Sequence, residues 1–207
     1  MYINKLIVGP LATNCYIVAN ETTNYCAVID PGDDYEKIMY EIDSKGYIIS
    51  QIIITHSHID HIGAVDALKS ASSAKVIVSE NDGAVFNSSN FTLASMLGNL
   101  APVTKPDILV KDGDTLSICG YEAQIISTPG HTPGSICIYF KNEGVLFSGD
   151  TLFYESIGRT DFPGGSYQSI SNSIKNKLFN LPDNTKVYPG HNSETTILHE
   201  KESNFYI

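Results

Sequence analysis

The chain has 207 residues, 42% of them hydrophobic and 17% charged, with a formal net charge of −10. That length fits one domain with a sizeable core, and the acidity excludes a phosphate-backbone partner, which needs a basic stripe and counterion release. No stretch reaches membrane-spanning length, and Met1–Pro10 has no long apolar run and no cleavage site, so a cytoplasmic protein without a membrane partner is expected.

Tyr2–Val8 predicts a first strand, broken by Gly9 and Pro10. Asn14–Ala19 and Cys26–Ile29 predict a hairpin about the polar turn Glu21–Asn24. Asp30, Pro31 and Gly32 stop its second strand. Asp30 is either a turn cap or a carboxylate that orients a metal-bound histidine; the second role requires this strand to lie beside the next one. Tyr35–Lys45 carries Ile38, Met39 and Ile42 at helical spacing, and Gly46 closes it.

Ile52–Thr55 is short, continuous and β-branched, as expected of a strand buried on both faces. His56, His58, Asp60 and His61 follow it, so three of the six histidines fall within six residues. In extended backbone His56 and His58 project to one side. Asp60 and His61 come after a turn, and Gly63 lets the chain bend into the next helix. Nitrogen and oxygen donors of this density, at the carboxyl end of a buried strand, suit zinc, iron or manganese. A solvated histidine loop does not account for a position directly after a buried strand.

Ala64–Ser70 reads as a helix and Lys75–Val78 as a strand, so the first half alternates β and α and predicts parallel pairing with helices outside. Glu80–Pro106 is rich in Asn and Ser, with a helix expected around Thr92–Leu97; its length marks a surface excursion or a lid. Leu109 and Val110 lead to a turn at Asp112-Gly113-Asp114. Thr115–Ile118 and Glu122–Ser127 then form a hairpin with Gly120 in its turn. Ile136–Phe140, Val145–Ser148 and Lys186–Tyr188 are further strands, and Ile170–Leu178 and Glu194–Ser203 are helices.

Cys15, Cys26, Cys119 and Cys137 have no CxxC spacing and three lie in apolar runs, which reads as buried free thiols. His131, Asp150 and His191 each follow a predicted strand beside a glycine, whereas His199 sits on the last helix and reads as a surface residue. With the first cluster they complete a set of seven ligands, enough for two adjacent metal ions that each keep a position for water.

Thr55–His61 followed by His131, Asp150 and His191 at these spacings resembles the metallo-β-lactamase superfamily. The likeness narrows to the glyoxalase II group on Thr13-Asn14-Cys15-Tyr16, Ile29-Asp30-Pro31-Gly32, Thr128–Ser135, Ser148–Phe153 and Gly158-Arg159-Thr160-Asp161, and it covers nearly the whole chain. The resemblance implies an α/β fold, the four-layer αβ/βα sandwich, with metals between the two sheet edges. It implies a first ion on His56, His58 and His131, a second on Asp60, His61 and His191, and Asp150 bridging them. Asp60 and Asp150 are the candidate catalytic carboxylates. The implied cofactors are two divalent ions, zinc with iron or manganese as alternatives. The implied reaction is attack of a bridging hydroxide on a small thioester of the lactoyl–thiol type, whose thiolate leaves without a strong general acid.

Full-length glyoxalase II enzymes continue past the last histidine into a helical region that holds much of the glutathione site. Residues 1–207 instead resemble the short, single-domain members, without the basic residues that would grip glutathione there, so the thiol is left open. Arg159, in the Gly158–Gly165 stretch shared with those members, is either a fork for a substrate carboxylate or half of a structural pair with Asp161 under the site. Tyr154 and Phe86–Leu100 are candidates for an acyl pocket. Persulfide dioxygenases share nearly all these motifs and use one iron on positions matching His56, His131 and Asp150, a set suited to O₂ chemistry. A mononuclear-iron oxidoreductase is therefore the alternative function. A β-lactamase is opposed by the absence of a secretory signal and a nuclease by the acidic charge. A non-catalytic module is opposed by the complete ligand set. No feature specifies an oligomeric state.

Overall fold

Side chains that alternate between two apolar environments define the middle of this molecule. The computed structural model describes every residue except Asn99, so that position of the expected Phe86–Leu100 excursion lies outside the described residues. Strand β1 (Tyr2–Val8) pairs antiparallel with β2 (Thr13–Asn20), and β2 pairs antiparallel with β3 (Tyr25–Ile29). Helix α1 (Tyr35–Lys45) then leads to β4 (Ile48–Ile53), which runs parallel to β3. Short helices α2 (Ile59–Ile62) and α3 (Val65–Ala71) precede β5 (Lys75–Ser79). Helix α4 (Glu80–Gly83) and a long connection lead to β6 (Ile108–Val110), and β4, β5 and β6 are parallel.

The second sheet holds β7 (Thr115–Ile118), β8 (Tyr121–Ser127), β9 (Ile136–Phe140) and β10 (Val145–Gly149) as an antiparallel series. A small hairpin of β11 (Leu152–Phe153) and β12 (Ser156–Ile157) and helix α5 (Tyr167–Asn176) follow. Strand β13 (Lys186–Pro189) adds parallel to β10, β14 (Thr195–Thr196) pairs with β13, and α6 (Ile197–Ser203) comes last.

Period-two alternation assigns each strand's faces. Tyr16, Val18, Ala27, Ile29, Ile53 and Ile77 of the first sheet meet Ile125, Ile136, Ile138, Phe140 and Phe147 of the second in one buried core. Their neighbours Cys15, Ile17, Val28, Ile52 and Val76 point the other way, onto Ile38 and Ile42 of α1 and Val65 and Leu68 of α3. Cys137, Tyr139, Leu146 and Val187 likewise face Ile170 and Ile174 of α5 and Ile197 of α6. The result is four layers, helix, sheet, sheet, helix, as the resemblance implied. The four cysteines are buried and unpaired, as expected.

Several boundaries differ from expectation for local reasons. The strand expected at Ile52–Thr55 is Ile48–Ile53. Thr55 leaves the ladder because its N–H and hydroxyl both bond the Asp30 carboxylate. The helix expected around Thr92–Leu97 shrinks to a 3₁₀ turn at Ala94–Leu97. Thr92 is diverted: its hydroxyl donates to Ser88 O and its carbonyl accepts from Ile59 N. Helix α5 starts three residues before the apolar period because Ser166 caps it, and Leu178 falls in a separate 3₁₀ turn. Helix α6 starts at Ile197 because Thr196 caps it, and residues 195–196 pair with β13.

The Asp30–Gly32 turn docks directly on α2. Ala64 N–H donates to Pro31 O at 2.9 Å, and a Cβ at Gly32 would overlap the Asp60 carbonyl. Only glycine permits that approach. Gly32→Ala should therefore displace Asp60 and His61 and cost ~1–3 kcal/mol of stability, as overpacking does. Thermal unfolding checks the stability loss, and metal content checks the displacement.

Candidate metal centre

All the candidate ligands emerge at one edge of the sandwich, past the carboxyl ends of β4, β8, β10 and β13. β4 delivers His56 and His58 on an extended segment, and α2 carries Asp60 and His61. β8 leads to His131, β10 to Asp150 and β13 to His191. The last loop is tied across the sandwich by Asn14, whose amide donates to Pro189 O and Asn192 O at 2.9 and 3.0 Å. Tyr16 Oη also donates to Pro189 O, at 2.7 Å. A Cβ at Gly190 would press on Asp150 Oδ1 and His61 Cε1, so the backbone lies directly behind the site.

Partners outside the cluster set which ring nitrogen faces inward. His131 Nδ1 lies 2.7 Å from the Arg159 carbonyl, which only accepts, so Nδ1 carries the hydrogen and Nε2 presents its lone pair. His61 Nδ1 lies 3.0 Å from Asp30 Oδ2. His56 Nδ1 lies 3.2 Å from Thr55 Oγ1, whose hydroxyl already donates to Asp30. Asp30 thus takes the orienting role, through a backbone held at φ 52°.

Three convergent groups result. His56, His58 and His131 form one, with His131 Nε2 3.2 Å from His56 Nε2 and 2.8 Å from His58 Nδ1. Asp60, His61 and His191 form another, with Asp60 Oδ2 3.5 Å from His61 Nε2 and 3.3 Å from His191 Nε2. Asp150 forms the third group with His56 and His61 and stands between the other two: Oδ1 is 3.5 Å from His61 Nε2, and Oδ2 is 3.5 Å from His131 Nε2 and 3.6 Å from His191 Nε2. Ligand atoms on a tetrahedral ion with bonds of ~2.0–2.2 Å are spaced by about 3.3–3.6 Å. Buried His61 Nε2 and Asp150 Oδ1 have no hydrogen-bond partner, which native interiors rarely tolerate. Bare imidazole nitrogens and carboxylate oxygens in this arrangement fit divalent cations.

The electrostatics of the two triads are opposite. Burial pushes His56 well below the ordinary imidazole value, and His61, His131 and His58 push the same way. His58 is pushed down to about 3 by burial and then by His131, against the pull of Asp60. Burial also opposes charge on His61, yet Asp60, Asp150 and Asp30 outweigh it and lift the group to about 10. On His191 the bond to Asp60 and the charge of Asp150 similarly overcome burial and raise the value. Burial works against the Asp60 carboxylate, but His61 and His191 hold it well below the usual carboxylate range.

Other residues differ from expectation. Arg159 and Asp161 do pair, at 2.7 and 3.0 Å, but on the surface rather than under the site. The Arg159 guanidinium lies 4.2 Å from the Phe162 ring centre, and that ring stands edge-on to His58 at 5.4 Å. In β11 the aromatic nearest the ligands is Phe153, 6.0 Å from His191. Tyr154 stacks instead on His199, which is half-buried and bonds Glu155 at 3.0 Å. Phe86, expected near an acyl pocket, is fully buried in the helix-side core. Sequence reasoning placed Thr13 in a motif but assigned it no role; its hydroxyl lies 3.2 Å from Asp60 Oδ2. Sequence reasoning missed Asp82, a fully buried carboxylate that accepts from Ser57 N and Thr132 Oγ1. Ser79, three residues before Asp82, was a capping signal that could have drawn attention to it.

The metallo-β-lactamase superfamily profile matches residues 8–191. A probable metallo-hydrolase, YqgX of Bacillus subtilis, is 34% identical over 98% of this chain and 96% of its own length. Hydroxyacylglutathione hydrolase GloC of Haemophilus influenzae is 34% identical over 100% of this chain and 98% of its own. Among solved structures, the BLEG-1 B3 metallo-β-lactamase superposes with a TM-score of 0.95 at 35% identity, covering 99% of each chain. TTHA1623 in a di-iron-bound form gives 0.88 at 32% identity, covering 99% of this chain and 100% of that one. With a family match over residues 8–191, end-to-end relatives and a clustered His/Asp site on the same four-layer fold, the chain belongs to the metallo-β-lactamase superfamily.

Proposed function

We propose that this protein is a dinuclear metallohydrolase of small thioesters of the lactoyl–thiol type. The observation that carries the reading is Asp150, whose two oxygens reach both histidine-bearing triads. His56, His58 and His131 would hold one divalent ion and Asp60, His61 and His191 the other, with Asp150 within reach of both groups. Bound there, divalent ions would supply a water of lowered pKa and Lewis acidity toward an acyl oxygen.

The chain's own residues do the rest. Asp30 and the Arg159 carbonyl fix the tautomers of His61 and His131. Thr13 donates to Asp60 and sets the orientation of that carboxylate. Phe162 beside His58 and Phe153 beside His191 wall the site with apolar edges that limit water. A thiolate leaves without a proton, so residues committed to ligation need not supply one.

The end-to-end similarity to a hydroxyacylglutathione hydrolase supports a small thioester as substrate, and the net charge of −10 argues against a nucleic acid. We assign zinc as the metal, with iron as the alternative that the di-iron-bound TTHA1623 supports. No helix among the described residues is long and apolar enough to cross a membrane. The four unpaired cysteines support a reducing, cytoplasmic compartment.

Elemental analysis of protein purified without added metal should give two metals per chain, with hydrolysis of a lactoyl thioester. One iron per chain with oxygen uptake assigns the oxidoreductase instead. Asp150→Ala should lose metal and lower kcat/KM by about 10²–10³-fold or more; a variant that keeps both metals and full rate refutes the assignment.

The metal-free protein should show the opposed triads in its pH-stability curve. His58 has a folded value below its unfolded one, so its contribution is complete above about 6.5 and is lost as pH falls toward 3. His61 has a raised folded value, so its contribution is complete below about 6.5 and is lost as pH rises to about 10. Urea unfolding of chelator-treated protein should therefore weaken on both sides of pH 6.5. His58→Asn should flatten the acid limb and His61→Asn the alkaline one; unchanged limbs refute the charge assignment.

A further inference from the structure

The three-imidazole site is assembled from two loops of different sheets, and no ladder joins His58 to His131. His58 follows Ser57, and His131 precedes Thr132. Between them lies Asp82, on α4 beyond the end of β5, with no exposed surface. Its Oδ2 accepts from Ser57 N at 2.8 Å, and its two oxygens lie 3.2 and 3.1 Å from Thr132 Oγ1. Ser79 extends the same connection: its hydroxyl donates to Gly134 O at 2.6 Å and accepts from Asp82 N at 3.2 Å. One carboxylate thus grips each loop one residue away from a ligand, and the inward nitrogens of His58 and His131 lie 2.8 Å apart.

We propose that Asp82 is a positioning residue that clasps the Ser57 and Thr132 loops together and so sets the geometry of the site formed by His56, His58 and His131. This rests on the dinuclear reading above. Asp82 acts through the Ser57 backbone N–H and the Thr132 hydroxyl rather than on substrate or metal. The second triad, Asp60, His61 and His191, takes its support from Asp30, Thr13 and Asn14. Asp30 also reaches His56 through Thr55, but the Ser57–Thr132 connection runs through Asp82. The clasp therefore predicts a loss confined to one of two sites. Outer partners of metal ligands typically contribute 10–100-fold to metal affinity.

The test is cobalt titration of chelator-treated, full-length protein, followed by visible absorption and calorimetry. His58→Ala and His191→Ala supply the reference spectra for loss of the first and second site. In Asp82→Ala the first site should weaken by about 10–100-fold while the second keeps its affinity. Asp82→Asn retains an acceptor for Ser57 N–H and should restore the wild-type spectrum. Thr132→Val, which removes the hydroxyl while keeping the shape, should weaken the same site, and it decides the matter if Asp82→Ala does not fold. Unchanged affinities at both sites, or equal weakening at both without rescue by Asp82→Asn, overturn the clasp. A wild-type titration that ends at one equivalent overturns the two-ion reading before any variant is compared.

Discussion

A buried carboxylate must have its acceptors satisfied, and Asp30 is satisfied only by a particular path of the chain. Its oxygens take the Thr55 N–H and hydroxyl at 2.8 and 2.7 Å and the His61 imidazole at 3.0 Å. The first two bonds pull Thr55 off the sheet, which frees the chain to present His56 and His58. The third fixes the ring of His61. Gly32, two residues on, lets the same turn lie against the Asp60 carbonyl. One residue with a left-handed backbone thereby couples the end of a parallel strand pair to four candidate ligands.

The site that grows from this anchor is electrostatically divided. In the first triad, burial and the neighbouring imidazoles disfavour a proton on His56 and His58. In the second triad, carboxylates surround His61 and draw a proton toward it. Only positive charge relieves both: bare nitrogens need an acceptor of their lone pairs, and Asp60 and Asp150 need countercharge. Divalent ions supply both at once. The orphaned His61 Nε2 and Asp150 Oδ1 are therefore the expected signature of a donor set shaped around cations.

Much of this was legible in the sequence because the strongest constraints are local. The run before His56 could only be a buried strand, and the ligand spacing followed from strand ends with glycine beside them. The alternation of Cys15, Tyr16, Ile17 and Val18 between two cores is likewise a period-two pattern. What was not legible depended on long-range bonds. The early end of β4 came from Asp30, 25 residues away from Thr55. The helix expected near Thr92 was cut short because Ile59 uses the Thr92 carbonyl. Phe153 rather than Tyr154 approaches the ligands because His199, far along the chain, stacks on Tyr154. Asp82 sat in a stretch without periodicity, where only the Ser79 capping position hinted that it was ordered.

A shared scaffold does not by itself choose a substrate. The relatives of this chain include a hydroxyacylglutathione hydrolase, a protein described as a B3 metallo-β-lactamase and a di-iron-bound form, all matched over nearly their whole length. Selectivity must then come from what surrounds the ligands. In this chain one flank is the Phe162 ring beneath the Arg159 guanidinium, and the other is Phe153 beside His191. Arg159 is already neutralised by Asp161 in a two-bond fork. That fork engages Nε and one Nη, so the outer edge of the exposed guanidinium stays open to an anionic group, while Phe162 and Phe153 present aromatic edges to the ligands. On the thioester reading proposed above, these aromatic flanks suit a compact acyl chain beside the ligands.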